Sequence, residues 1–224
     1  MGLEFRQKRE SDQRAIEDIT INVFEFIIIN KIYLDITFSI ISTYTQNESN
    51  MSKKITNNPM IDDVEDDEKL YEYIKLIEEF YKINIQYRRG DLLELLSSHI
   101  SPLDNSKDYE IIRESLVYEN GQKIDKKDID VVTQYKDSRN IECIECKSNI
   151  KNFIGRPMDD ECKSKLNFMQ LVSERASVYG IRCRLLFATY RQDTEYSLDI
   201  LKENGYNTFE IMNKSEIIKR LKSK

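Results

Sequence analysis

The sequence has no tryptophan, a single histidine, six glycines and three prolines among its 224 residues. So little glycine and proline argues against a fibrous or low-complexity chain, and a composition of 40% hydrophobic and 33% charged residues predicts a globular domain rich in helix and strand. A Ser-His-Asp triad would have to use His99, and no nucleophile-elbow motif accompanies it. Neither a Walker A motif nor a Gly-x-Gly-x-x-Gly motif occurs, so the sequence lacks the usual signals of nucleotide-binding loops.

Cysteine is also sparse, with Cys143, Cys146, Cys162 and Cys183. The first two form a Cys-x-x-Cys, a spacing found in zinc sites. On a strand, however, residues three apart face opposite sides. We therefore expect small, buried cysteines with free thiols. Because the N-terminus opens with charged residues rather than a cleavable signal, we expect a cytoplasmic location.

Long hydrophobic runs are missing as well. Residues 19–41 are largely apolar, but Glu25, Lys31 and Asp35 interrupt them, whereas a membrane span needs about 20 predominantly apolar residues. We therefore expect no membrane association. The net charge of -6 is concentrated in residues 61–80, which hold nine acidic and two basic residues, so it does not exclude a nucleic-acid partner.

The first 60 residues differ in pattern from the rest. Residues 21–29 and 32–41 are rich in β-branched and aromatic residues and predict two strands. Residues 47–59 are polar and predict a linker. We therefore predict an N-terminal appendage and linker over residues 1–60, followed by one domain over residues 61–224.

From residue 66 onward the pattern alternates between helix and strand. Apolar spacing predicts a helix over residues 66–81 and a short helix starting near Gly90. Strands are predicted over residues 109–118, 128–135, 140–147, 182–190 and 206–212, and helices over residues 159–179 and 194–204. Gly180 is expected to end the first of these two helices, and Asn213 with Glu216 to open a last helix through a capping box.

Two neighbouring predicted strands carry acidic residues at matching positions. Residues 135–140 between them are typical of a turn. A two-residue loop at residues 137 and 138 would pair Val132 with Cys143 and Asp130 with Glu145. Directly opposed residues share a face, with Cβ atoms about 4.5–5.5 Å apart. Lys147 lies two residues after Glu145 and shares that face.

Two carboxylates side by side repel each other, and a divalent cation that binds both reverses this repulsion. Mg²⁺ or Mn²⁺ suits such a pair, since Mg²⁺ takes one or two protein carboxylates together with waters and substrate phosphate oxygens. The carbonyl of Cys146 could add a ligand, and Lys147 could position the attacking water or help to deprotonate it. The pattern predicts metal-assisted phosphodiester hydrolysis. The alternative is a solvated cluster of charges without chemistry.

Asp130 on one strand and Glu145-Cys146-Lys147 on the next resemble the signature of the PD-(D/E)xK, or restriction-endonuclease-like, nuclease superfamily. The resemblance covers roughly residues 87–212 and departs from the motif name at Ile129, where proline is expected. It implies an α/β fold of the α-β-β-β-α-β type, with a mixed central sheet flanked by helices. It also implies a metal-dependent endonuclease with Asp130, Glu145 and Lys147 as the catalytic residues.

Gly90 and Glu94 match a further pattern, Gly-x-x-x-Glu, which Holliday-junction resolvases and Mrr-like restriction enzymes carry in the preceding helix. It implies that Glu94 joins Asp130 and Glu145 as a metal ligand. The alternative is a solvent-facing helix residue.

The same likeness implies DNA as the partner. The basic residues near the site would contact phosphates: Lys151, Arg156, Lys163 and Lys165. A homodimer is a further expectation by analogy, because a duplex has two strands to cut. The competing interpretation is a catalytically inactive nucleic-acid-binding or assembly module of the same fold.

Overall fold

A six-stranded mixed sheet forms the centre of the computed structural model, which describes residues 2–13, 15–62, 64, 67–104 and 106–224. The strands are β1 (Leu3–Gln7), β2 (Tyr109–Glu119), β3 (Gln122–Tyr135), β4 (Asn140–Cys146), β5 (Arg182–Ala188) and β6 (Phe209–Met212). Their spatial order follows the chain order. β1 to β4 pair antiparallel, whereas β5 is parallel to β4 and β6 is parallel to β5.

Helices cover both faces of the sheet. They are α1 (Asp18–Ile29), α2 (Tyr33–Thr43), α3 (Met51–Thr56), α4 (Asp67–Lys82), α5 (Ile85–Ile100), α6 (Ile150–Phe153), α7 (Asp160–Val178), α8 (Glu195–Glu203) and α9 (Lys214–Ser223). One hydrophobic cluster joins α1–α5 and α9 to Val131 and Ile144 of the sheet. The other joins α6–α8 to Val132 and Cys143. Successive strand residues thus face opposite helical layers, as the two-residue period of a strand requires.

The elements α5, β2, β3, β4, α7 and β5 follow one another in the predicted α-β-β-β-α-β order, with the short α6 inserted before α7. The predicted fold class is therefore confirmed. The hairpin register is also as predicted, since Gln134 pairs with Ile141 and Val132 with Cys143. The capping box of Asn213 and Glu216 is present.

The helices α7 and α8 each begin and end within one residue of the prediction, and the largest difference is at α5. α5 begins at Ile85 and contains Gly90 in its interior, so the predicted start near Gly90 is wrong. α4 begins at Asp67, and Asp66 of the predicted helix lies outside the described residues. Within the described part of the chain, no helix has the length and apolar character that a membrane span needs.

The strands predicted over residues 21–29 and 32–41 are wrong, because these segments form α1 and α2. In α2 the buried Leu34, Phe38 and Ile41 follow the spacing of one helical face. β-branched residues lower helix propensity by only a few tenths of a kcal/mol each, about 0.7 at most. Burial of several side chains outweighs such a preference.

The predicted division at residue 60 also disagrees with the packing. β1 is the edge strand next to β2. Phe26 of α1 stacks on Tyr73 of α4 with ring centroids 5.8 Å apart, and the Tyr81 hydroxyl donates to the carbonyl of Tyr44 over 3.1 Å. The predicted linker contains α3, whose Met51 is buried. Residues 1–60 and the rest of the chain therefore share one hydrophobic cluster, so the term appendage does not describe them.

Candidate active site

β3 and β4 separate at Asp130, and the opening between them is here called the fork. The pairing of the two strands runs from Gln134 with Ile141 to Val131 with Ile144. One step further, the strand backbones no longer pair, and Asp130 Oδ2 instead accepts a hydrogen bond from the backbone N–H of Cys146 over 2.7 Å. The predicted direct pairing of Asp130 with Glu145 is thus replaced by a side-chain contact across the fork.

The neighbouring strand contributes to this opening. Glu114 of β2 has a φ of 47°, an uncommon conformation for a residue with a side chain. Ile129 and Val131, two residues apart, belong to opposite hydrophobic clusters. The regular alternation of β3 is therefore interrupted at Asp130. This interruption lets β4 continue with β5 while β3 turns away.

Glu145 lies inside the fork with its side chain only 2% exposed. Lys147 places its Nζ 2.8 Å from Oε1, and Lys165 places its Nζ 2.7 Å from Oε2. Lys165 comes from α7 and also donates to the backbone carbonyl of Asp128 over 2.7 Å. A buried carboxylate is costly without partners. Here an ammonium group faces each of its oxygens.

Burial alone would lower the pKa of Lys147, but the carboxylates of Glu145 and Asp130 outweigh it and raise this pKa above its usual value. The pKa of Lys165 is raised in the same way, because the carboxylates of Glu145 and Asp130 outweigh the lowering effect of burial. Both lysines therefore stay charged near neutral pH.

The pKa values of two carboxyl groups are raised as well, which for an acid favours the neutral form. Burial, together with the charge of Glu145, raises the pKa of Asp130 to about 7. Burial, together with the charge of Asp130, raises the pKa of Glu94 to about 8. The site holds more acidic groups than its lysines can neutralise.

Glu94 approaches the fork from α5. Its side chain is 17% exposed, and Oε2 lies 3.7 Å from the Arg113 guanidinium. One turn further along α5, the Ser97 hydroxyl lies 3.4 Å from the thiol of Cys146. The structure thus brings Asp130, Glu145 and Lys147 together at the fork, and Glu94 lies near enough to Asp130 for the charge of Asp130 to raise its pKa. A solvent-facing Glu94 does not fit this placement.

The predicted phosphate contacts are more dispersed. Lys151 pairs with Asp193, Arg156 pairs with Glu203, and Lys163 is exposed on α7. Lys165 lies inside the fork rather than on the surface, so its prediction as a phosphate contact is replaced by a contact with Glu145. The sequence holds a signal for this placement. Lys165 borders the face of α7 that the buried Cys162, Leu166 and Met169 define, and Lys163 lies away from that face.

The other candidate ligands lie elsewhere. Cys143 and Cys146 belong to opposite hydrophobic clusters, as their spacing on β4 predicts, and all four cysteines are free thiols. His99 packs edge-on against Phe24 with ring centroids 5.7 Å apart. Of these residues, Cys146 borders the fork, where its backbone N–H donates to Asp130.

The donor chemistry of the fork fits a hard divalent cation. Within the described ranges, no group of three or more His, Cys, Asp or Glu side chains is already arranged to hold a metal ion. The carboxylates of Asp130, Glu145 and Glu94 are nevertheless the oxygen ligands that Mg²⁺ and Mn²⁺ accept. The pKa values of Asp130 and Glu94 are raised first by burial and then by a neighbouring carboxylate, and a bound cation would offset both effects.

No protein-family model matches the chain, and no curated protein matches it. A similar solved structure is that of Can2 from Sulfobacillus thermosulfidooxidans in complex with cyclic tetra-adenylate (cA4). The match has a TM-score of 0.45 and 13% sequence identity, and it covers 99% of this chain and 57% of that chain. The chain therefore spans little more than half the length of Can2.

Proposed function

We propose that this chain is a metal-dependent nuclease that hydrolyses phosphodiester bonds in DNA. The observation that carries the proposal is the convergence of Asp130, Glu145 and Lys147 at the fork between β3 and β4. A buried and a half-buried acid beside a lysine at the end of a sheet are costly for stability, which makes a catalytic use the better explanation of their presence.

In this proposal Asp130, Glu145 and Glu94 hold Mg²⁺ or Mn²⁺. Once bound, the cation would act as a Lewis acid toward the phosphate and lower the pKa of the attacking water. The Lys147 side chain is 30% exposed, so it borders solvent while its ammonium contacts Glu145. Because its pKa is raised, Lys147 serves as a hydrogen-bond donor that orients water and offsets charge on the phosphate, rather than as a base.

Substrate contacts would come from Lys151, Arg156 and Lys163. The first two are engaged in surface ion pairs, which contribute about 0–1 kcal/mol each. Such pairs exchange readily for phosphate groups. Binding through these residues would weaken steeply with added salt.

The second candidate is a catalytically inactive nucleic-acid-binding module. The observation that favours it is the pairing of both Glu145 oxygens with ammonium groups, since this carboxylate is neutralised without a cation. The two candidates differ in whether the purified protein cuts a nucleic acid.

The test is cleavage of single-stranded DNA, duplex DNA and RNA with Mg²⁺, with Mn²⁺ and with a chelator. We expect DNA cleavage that requires the cation and falls about 100-fold or more in Lys147→Ala. Lys202→Ala, on the exposed surface of α8, removes the same charge and should cleave normally. Cleavage that survives in Lys147→Ala would refute the assignment, and no cleavage of any substrate by the wild type would favour the inactive module.

A further inference from the structure

Lys165 is a charged residue of the fork that the proposed reaction does not use. Its side chain is 12% exposed and comes from α7, on the side of Glu145 opposite Lys147. Its Nζ contacts Glu145 Oε2 and the carbonyl of Asp128, each over 2.7 Å, and lies 3.9 Å from the carboxylate of Asp128. Three oxygen atoms therefore surround this ammonium group.

The two lysines differ in how firmly they are held. Lys147 is the more exposed of the two, at 30% against 12%, and its Nζ also lies 4.6 Å from the centre of the Phe153 ring. Lys165 has a backbone oxygen as a fixed acceptor, which does not depend on any side chain. Lys165 is thus the more enclosed partner of Glu145, and Lys147 is the more accessible to a substrate.

We propose that Lys165 is the resident counter-ion of Glu145: its ammonium group balances this buried carboxylate when no cation is bound and weakens the binding of a divalent cation there. This inference rests on the proposed function, because it needs Glu145 to be a metal ligand. Its physical basis is that the ammonium occupies one of the two oxygens a cation would use. Like charges a few ångströms apart in a partly buried site also repel strongly. Lys165 is a positioning residue and not a catalytic one.

A merely structural lysine predicts a different outcome. If Lys165 only fixed the position of Glu145, its removal would misplace the carboxylate and weaken cation binding. If Lys165 is a counter-ion, its removal makes the metal-free protein less stable and yet makes the protein bind the cation more tightly. Metal affinity and metal-free stability must therefore be measured separately.

The experiment compares the full-length wild type with Lys165→Met, Lys165→Gln and Lys165→Arg. Titration calorimetry gives the Mn²⁺ dissociation constant, and thermal unfolding in chelator gives the metal-free midpoint. We expect the Mn²⁺ dissociation constants of the Met and Gln variants to be at least about tenfold lower than that of the wild type. Their unfolding midpoints in chelator should also be lower. The Arg variant, which keeps the charge, should bind Mn²⁺ about as the wild type does. Lys165→Gln keeps a hydrogen-bond donor for the Asp128 carbonyl and serves if Lys165→Met does not fold.

Lys202→Met controls for the loss of one positive charge at a distance from the fork and should change neither quantity. Equal or weaker Mn²⁺ binding in folded Met and Gln variants, beside a wild type that binds, overturns the counter-ion proposal and leaves the proposed function intact. If neither the wild type nor any variant binds Mn²⁺, the metal site itself is refuted, and the counter-ion proposal with it.

Discussion

Replacing Glu94 by Gln should stabilise the metal-free protein, and increasingly so as the pH rises. The pKa of Glu94 is raised from 4.5 to about 8 by burial and by the charge of Asp130. Below pH 8 the folded protein therefore keeps a proton that the unfolded chain releases above pH 4.5. The folded state is therefore stabilised by protonated Glu94. This contribution to the free energy of unfolding is fully present below pH 4.5 and is lost as the pH rises to about 8.

The size of the effect follows from the same values. A shift from 4.5 to about 8 corresponds to about 5 kcal/mol, at about 1.4 kcal/mol for each pKa unit. Glu94→Gln gains only part of this free energy, because the new amide needs hydrogen-bond partners and Arg113 loses an acidic partner 3.7 Å away. We expect the free energy of unfolding of Glu94→Gln to exceed that of the wild type by about 2–3 kcal/mol at pH 8.5 and by much less at pH 5.5.

Urea unfolding in chelator at pH 5.5, 7 and 8.5 measures this difference directly. Glu72→Gln, an exposed position on α4, is the matched control and should show no such trend. If the free energy gained by Glu94→Gln were the same at every pH, Glu94 would not carry a raised pKa. Its placement as an acid crowded by Asp130 would then be wrong.

Three further outcomes follow from the structure. Mn²⁺ should raise the thermal unfolding midpoint of the wild type by mass action. Asp130→Asn, which keeps the shape of the side chain, should lose most of that rise. An equal rise in both proteins would exclude Asp130 as a ligand. A chain starting at Met51 should be insoluble, because it loses the buried faces of α1 and α2. Each large apolar side chain there contributes about 1.5–3 kcal/mol, against a total stability of about 5–15 kcal/mol. A soluble fragment that folds cooperatively would contradict this. Lys151→Ala should weaken DNA binding and flatten its dependence on salt, and an unchanged salt slope would remove Lys151 from the interface.

The register of β3 and β4 could be predicted because it depends on local features. The turn residues and the alternating apolar residues select one pairing, and a slip by one residue would reverse every side chain. The meeting of Asp130, Glu145 and Lys147 follows from that register. The opening of the fork could not be predicted in the same way, because it depends on β2 and on the left-handed conformation of Glu114.

The N-terminal segment was harder to predict. Its isoleucine-rich sequence favours strands locally, but burial against α4, α5 and α9 makes helices the better solution. Such a tertiary preference is not visible in a single sequence. Lys165 is a different case. The sequence predicts it as a phosphate contact with Lys151, Arg156 and Lys163, although its position on α7 borders the buried face of that helix and is itself a signal for the contact with Glu145.

The position of Mn²⁺ in crystals of the wild-type protein, located by its anomalous scattering, would show directly whether the fork is a metal site. We predict one ion in the fork, bound by the carboxylates of Asp130 and Glu145, with Glu94 within reach and Lys147 beside it. An ion bound elsewhere, or a fork that stays without an ion at Mn²⁺ concentrations that support cleavage, would contradict the assignment of these residues as the active site.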